Sequence, residues 1–459
     1  MKSLSRREFL IAATTAASAS ILAACAPQAT PTPEKVVEKV VETVMVAGTP
    51  QIIEREVTTT PVPPAAPEPY TVKMWTTWDL EKEMKVSELY AKFTAENPGL
   101  TIESTFIGEW ETKFRTAAAS GTLPDIYTSD GINIATYACR SLLADLTEII
   151  PSTIRDDYHP PILKEVMWHG KQWGVPIECH AQGVYYNKDW LDKLGVPLPQ
   201  TWAELLNLCQ KIASTEKAKF GYSYPIGSDG WSMWWDALAM WQAGGRMTSE
   251  DESQVLFNSP ENVEAVTYLQ TLYQKHYVPR TGEVTASPVG PFFDQLIAVN
   301  ITGSWSLQAD LKTTPGFNWG WGAVPYGKVN VQGVSGGWHF NLSGQSKHKY
   351  EAGKVMTWLA GDEWGLEAAK RFRIISPRKS ICAQLPELKN EPWTTALKMI
   401  DETGKVTRPH NTEYPNLMDV AGQALANATV GGKPVKDELD AAQEKMTTIL
   451  ANAQVCSTN

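Results

Sequence analysis

From Tyr70 onward the chain alternates short strand-like runs with helical ones, and that alternation narrows the possible folds more than any other feature. Tyr70-Thr71-Val72-Lys73-Met74-Trp75 alternates polar and apolar residues as a half-buried strand does. Val86, Leu89, Tyr90 and Phe93 then fall at helical spacing, and Asn97-Pro98-Gly99 supplies a stop. Residues 100–107 read as a strand and 110–119 as a helix; Gly121 and Pro124 break the chain before an Ile126-Tyr127 strand. Further helices are expected at 201–213, 261–275, 349–360, 363–372 and 435–452, with strand-like pieces at 184–186, 297–301 and 333–342. Strands followed by helices imply an α/β fold with a mainly parallel sheet. A chain of 459 residues has room for two or three units with cores of their own.

The segment before Tyr70 has a different character. Residues 26–69 hold nine prolines and no aromatic, too little apolar surface to offset the entropy of ordering. Residues 25–69 therefore read as a disordered Pro-rich tether, with a short amphipathic helix or coiled coil over Lys35-Val36-Val37-Glu38-Lys39-Val40-Val41-Glu42 as the alternative. Farther upstream, Ser5-Arg6-Arg7-Glu8-Phe9-Leu10 resembles a twin-arginine export signal. The run after it is about 15 residues long and rich in hydroxyls, short for a spanning helix. It ends in Leu22-Ala23-Ala24-Cys25, which resembles a lipobox. Residues 1–24 are thus expected to be a twin-arginine lipoprotein signal peptide, with Cys25 lipidated and the protein extracytoplasmic, anchored to the cell membrane.

Charge and cysteine usage exclude several classes. The formal charge is −10 with no basic tract, so nucleic acid is not an expected partner. Cys139, Cys179, Cys209, Cys382 and Cys456 form no CxxC pair and are odd in number, and most read as buried thiols. His159, His169 and His180 share no helix face, so neither a metal nor another cofactor is expected.

A series of short motifs then accumulates in order. Trp75-Thr76-Thr77-Trp78 follows the first strand, ahead of Phe93-Thr94-Ala95-Glu96-Asn97-Pro98-Gly99 and Ser120-Gly121-Thr122-Leu123-Pro124-Asp125. Leu143-Ala144-Asp145-Leu146, Gly170-Lys171-Gln172-Trp173-Gly174-Val175-Pro176, Tyr185-Tyr186-Asn187-Lys188, Pro199-Gln200-Thr201-Trp202, Gly303-Ser304-Trp305 and Ser376-Pro377-Arg378 come next. In this order they resemble the family 1 extracellular solute-binding proteins of ABC importers, the maltose-binding-protein type, over about residues 70–459. The resemblance implies a two-lobe periplasmic-binding-protein fold of type II, with three hinge crossings and a ligand cleft between the lobes. Carried over, lobe one is 70–178 with 336–376, lobe two is 183–333 with 380–459, and the hinges lie near 178–182, 333–336 and 375–378. It further implies a monomeric, non-enzymatic lipoprotein that captures a sugar, most simply an oligosaccharide, and hands it to the membrane permease subunits of the importer.

A cleft closing on a sugar needs aromatic faces and planar polar side chains around a hydroxyl rim. Thr77, Trp78 and Asp79 follow the first strand at its C-terminal end, where ligands sit in open α/β sheets, although Asp79 also suits a helix N-cap. Glu109 begins the next helix, and Asp130 and Asn133 follow the Ile126-Tyr127 strand. His180 occupies the first hinge, where the maltose-binding relative carries an acidic sugar ligand. Asp229, Trp231 and Trp234 belong to the segment densest in aromatics, with Trp235 or Trp241 left to packing. Trp305 matches a stacking Trp of that relative; Trp338 stands at a hinge, Arg378 at another, and Tyr414 beside Pro415 in a loop of lobe two.

Enzymatic readings fare worse. Gly333-Val334-Ser335-Gly336-Gly337 fits a nucleophile elbow, but the run after it alternates like a strand where the elbow needs a helix. Gly322 to Lys328 starts like a phosphate loop, yet Pro325 removes a needed amide and Val329 replaces the metal-binding hydroxyl. The alternatives kept are a receptor for glycerol phosphate or a polyamine, and a secreted glycoside hydrolase using a carboxylate pair.

Overall fold

The computed structural model describes residues 36–46, 49–59, 68–215, 219–225, 232–285, 287–307, 316–332, 336–372, 374–402, 408–453 and 456. The signal peptide, Cys25, Asp229 and Trp231 lie outside them. The chain divides into two units, 1–68 and 69–459.

In the first unit, β1 (Val36–Val46) pairs antiparallel with β2 (Thr49–Thr59), from Val36 opposite Thr59 to Val46 opposite Thr49. A disordered tether, or a helix at 35–42, does not describe these residues. Both runs are dominated by Val, Ile and Thr, whose branched Cβ favours the extended backbone over the helix.

In the second unit, the described residues carry one five-stranded and one four-stranded sheet. The first runs β4-β3-β5-β11-β6, with β3 Tyr70–Thr76, β4 Leu100–Phe106, β5 Ile126–Asp130, β6 Val175–Pro176 and β11 Trp338–Leu342. The second runs β8-β9-β7-β10, with β7 Gln182–Asn187, β8 Phe220–Ser223, β9 Ile297–Gly303 and β10 Trp319–Gly322. Each sheet is mixed rather than mainly parallel. β3, β4 and β5 are parallel, as are β8 and β9, but β11, β7 and β10 run against their neighbours. The reversed strands β7 and β11 are the ones reached from the other sheet, so they enter from the opposite end.

The helices used below are α1 (Leu80–Met84), α2 (Trp110–Ser120), α3 (Ile134–Cys139), α4 (Pro160–Val166), α5 (Met233–Ala243), α6 (Asp362–Phe372), α7 (Tyr414–Thr429) and α8 (Val435–Ala451). Tyr414, expected in a loop, instead opens α7: Pro415 sits in the first turn, where a missing amide costs the helix nothing. Lobe one's core joins Val72, Met74, Ile126, Phe340 and Leu342 of its sheet to Val355, Met356 and Leu359 of a covering helix. Lobe two's core joins Val299 and Ile301 to Leu205, Leu208, Leu238, Leu417 and Leu439. Each such side chain, fully buried, contributes about 1.5–3 kcal/mol.

The chain passes between the sheets through residues 177–181, between β6 and β7, and again between β10 and β11, where 323–332 and 336–337 are described. A third passage, described over 374–378, follows α6. These segments are bonded to one another: the amide of Ile177 donates to Trp338 O at 2.9 Å, that of His180 to Gly336 O at 3.2 Å and that of Cys179 to Ile375 O at 3.2 Å. The Cys179 thiol is buried and donates to Ser376 O at 3.3 Å. Cys209 and Cys382 are also free and buried, whereas Cys139 and Cys456 form a disulfide.

Candidate functional site

Where the three passages meet, the lobes face each other across a cavity of about 530 Å³. Lobe two supplies three indoles. Trp234 and Trp235 project from the first turn of α5, and Trp305 follows β9 on a short 3-10 turn. Their rings form one cluster, with centroids 4.6 Å apart for Trp234–Trp235 and 5.2 Å for Trp234–Trp305. Trp305 lies where a Cβ on residue 303 would project, so Gly303 lets the ring fold back onto the backbone. Lobe one supplies Trp78 after β3, Trp338 at the start of β11 and Phe372 at the end of α6. Trp78 meets Trp338 edge-on at 5.4 Å and Phe372 at 6.0 Å.

The passages form the polar part of the lining. His180 Nε2 lies 2.9 Å from a Glu178 carboxylate oxygen, and its Nδ1 is 3.5 Å from Ser304 Oγ. A Cβ on Gly336 would come within 2.9 Å of Trp234 Nε1, so the missing side chain lets the crossing segment pass close to that ring without displacing it. Glu83 of α1 adds an exposed carboxylate.

A buried charge cluster closes one side. Arg408 Nη1 lies 2.8 Å from Asp130 Oδ1, and its Nη2 donates to Glu165 of α4. Burial pushes the Asp130 carboxyl up, against the pull of Arg408. Burial acts the same way on Glu165, but the charge and hydrogen bond of Arg408 hold it below the usual carboxylate range. His339, fully buried beside the cluster, is pushed down to about 4 by burial. Burial also lowers His410. Arg408 is therefore a neutralised cation, already spent on two carboxylates.

Six residues expected from the sequence meet in this cavity: Trp78, Asp130, His180, Trp234, Trp305 and Trp338. Others lie elsewhere. Thr77 donates its amide to Thr128 Oγ1 at 3.2 Å, and Asp79 is an exposed N-cap that accepts from the Lys82 amide at 3.1 Å. Glu109 is exposed at the start of α2. Asn133 lines a second cavity, of about 710 Å³, between α2, α3 and the start of α7. Arg378 is buried in ion pairs with Asp157 at 2.8 Å and Asp362 at 2.5 Å, which makes it a brace rather than a ligand contact. Tyr414 is sealed in lobe two's core, as is Trp241. Sequence reasoning missed Glu83, Glu178, Phe372, Arg408 and Met418, and it left Trp235 or Trp241 to packing, of which Trp235 lines the cavity. Only Glu178 carried a signal, its place in the first crossing.

Chemically, a cavity lined by aromatic side chains from both lobes and by carboxylates suits a flat molecule whose faces are apolar and whose edges donate hydrogen bonds. Among the described residues, no helix is long and apolar enough to cross a membrane.

The family described as bacterial extracellular solute-binding protein matches residues 81–365. A putative ABC transporter periplasmic-binding protein of Escherichia coli strain K12 is 26% identical over 200 residues, 42% of this chain and 46% of that relative. The match thus spans less than half the length of that protein. A multiple sugar-binding protein of Streptococcus mutans is 22% identical over 296 residues, 61% of this chain and 68% of its own length. Among solved structures, the cyclic α-maltosyl-1,6-maltose binding protein of Arthrobacter globiformis superposes with a TM-score of 0.69 at 26% identity, covering 84% of this chain and 100% of that one.

Proposed function

This chain belongs to the bacterial extracellular solute-binding proteins, and from that premise we propose that it captures a sugar for an ABC importer without chemically changing it. The observation that carries the reading is the set of aromatic side chains that both lobes bring to one cavity of about 530 Å³. Sugar rings stack their C–H faces on indoles, while their hydroxyls donate to Asp130, Glu178 and Glu83 and exchange hydrogen bonds with His180. The cavity falls within the size range of small-molecule sites, and an oligosaccharide is the ligand proposed for it. The similarity to sugar-binding relatives supports the same choice.

Hinge rotation at 177–181, 336–338 and 374–378 opens and closes the cleft, and bound ligand bridges the lobes. Residues 1–24 direct export, and lipid on Cys25 holds the monomer at the membrane beside its permease. A phosphate ester is disfavoured, since Arg408 is already held by Asp130 and Glu165. A cationic amine is the second reading, because carboxylates and indoles share the lining.

A thermal-shift series with mono- and oligosaccharides, glycerol 3-phosphate and spermidine tests the assignment. Ligand at 100 times Kd adds about 2.7 kcal/mol of stability. Sugars should raise the melting temperature and be recovered unchanged. A response to spermidine or the phosphate ester alone would overturn the sugar reading. Products that grow with time would restore the hydrolase.

A further inference from the structure

We propose that the Cys139–Cys456 disulfide is a covalent strap between the lobes that limits how far the ligand cleft opens; the inference rests on the two-lobe closure proposed above. Cys139 ends α3, whose Ile134 and Ala138 pack with Phe114 and Tyr127 in lobe one. Cys456 lies five residues beyond Ala451, the end of α8, whose Leu439, Ala442 and Met446 belong to lobe two's core. The bond joins residues 317 apart in sequence and ties a lobe-one helix to the tail of a lobe-two helix. It is therefore a link additional to the three chain passages, attached to different elements.

The neighbouring structure shows why such a link has work to do. The second cavity, about 710 Å³, is lined by Phe114 of α2, Asn133 and Thr136 beside and on α3, and Pro415 and Asp419 of α7. The helices of the two lobes leave space between them there, bridged by the packing of Ile132 into lobe two's core and by a hydrogen bond from Thr136 Oγ1 to Thr412 O at 2.8 Å. Besides the disulfide, that bond, the Arg408 ion pairs, the His410 Nδ1–Met167 O contact at 3.2 Å and the packing of Ile132 into lobe two's core resist separation at this edge. With the disulfide, separation stops when the five residues after α8 are taut. At 3.3–3.6 Å per residue that slack is at most about 18 Å.

Holding the lobes near each other keeps a larger share of empty molecules ready to close, and apparent affinity scales with that share. The strap therefore strengthens ligand binding without touching ligand.

Small-angle scattering of the ligand-free full chain provides the test. Cys139→Ser and Cys456→Ser should each increase the radius of gyration, by the same amount, since either one removes the same bond. Affinity for the sugar found by thermal shift should fall by about 3- to 30-fold in both. A third variant keeps both cysteines and inserts four Gly-Ser residues after Ala453; its radius of gyration should fall between wild type and the serine variants. An unchanged radius in all three, with mass spectrometry confirming the lost bond in the serine variants, would overturn the strap. So would a lower melting temperature with radius and affinity unchanged, since that describes a staple on the C-terminus alone. If no sugar binds any form yet the radius responds, the strap stands and the sugar assignment fails.

Discussion

Trp234 and Trp235 pack on the apolar core of lobe two and carry Trp305 against them, whereas Trp338 of lobe one, packed like Trp78 and Phe372 on that lobe's apolar core, is also paired in its sheet with Asp130, a member of a buried charge cluster. Beneath the first set lie Met233, Ala237 and Leu238 of α5; beside the second lie Arg408, Glu165 and His339. A wall seated on hydrocarbon keeps its place through packing, which is indifferent to pH and salt. A wall that also borders buried ions is disturbed as well by whatever upsets their balance of charge. The two faces of one cleft should therefore fail under different conditions.

The largest effect is expected from Arg408→Met. It leaves Asp130 and Glu165 buried without a countercharge, a change that costs about 3–5 kcal/mol. Denaturant unfolding should show it, and adding Asp130→Asn with Glu165→Gln should recover much of the loss. If Arg408→Met alone is neutral, the charge cluster does not support lobe one.

Acid should separate the walls next. His339 has a folded pKa of about 4 against an ordinary value of 6.5. Between those values the unfolded chain binds the proton more readily, so stability is lost as pH falls from 6.5 towards 4. The loss from this group approaches about 3 kcal/mol. Glu165, with its lowered pKa, adds loss in the acid range, while Asp130, with its raised pKa, acts in the opposite sense. His339→Asn should flatten the profile of melting temperature between pH 6.5 and 4; an unchanged slope would assign the acid sensitivity to other groups.

On the other wall, Trp305→Ala or Trp234→Ala should weaken ligand binding roughly ten- to several-hundred-fold, from lost stacking and lost burial together. Titration by calorimetry at pH 7 and pH 5 should give the same ratio to wild type at both. A sharp fall in melting temperature with affinity unchanged would make these indoles core residues. The smallest effect belongs to Gly336→Ala. The added methyl, 2.9 Å from Trp234 Nε1, must displace the ring slightly. A few-fold loss of affinity is expected, about 1 kcal/mol, and stability should barely change.

Much of the body is legible in the sequence, because its helices are amphipathic and its strands end in recognisable stops. The helices expected at 201–213 and 349–360 appear at Trp202–Thr215 and Lys349–Ala360. The direction of strands was not legible: whether β11 runs with or against β5 depends on which lobe the chain arrives from, which no local pattern records. In the cleft, indoles in polar loops advertised themselves, since Trp78 and Trp305 have no amphipathic stripe to belong to. Arg408 could not, because its partners Asp130 and Glu165 lie 278 and 243 residues away and nothing near it signals burial. Arg378 misled for the same reason: its position suggested a ligand contact, but Asp157 and Asp362 occupy its guanidinium.

Cys179 has a consequence for how this molecule can be watched. Its thiol is wholly enclosed among the chain passages, bonded to the carbonyls of Ile375 and Ser376, and burial drives its pKa well above that of an ordinary cysteine. In that setting it is protonated and out of reach of alkylating reagents at neutral pH. Labelling can proceed only in the interval when the passages part. The rate at which iodoacetamide marks residue 179 therefore counts those intervals in the natural chain, with no probe introduced, and a molecule locked shut should stay unmarked for longer than an idle one.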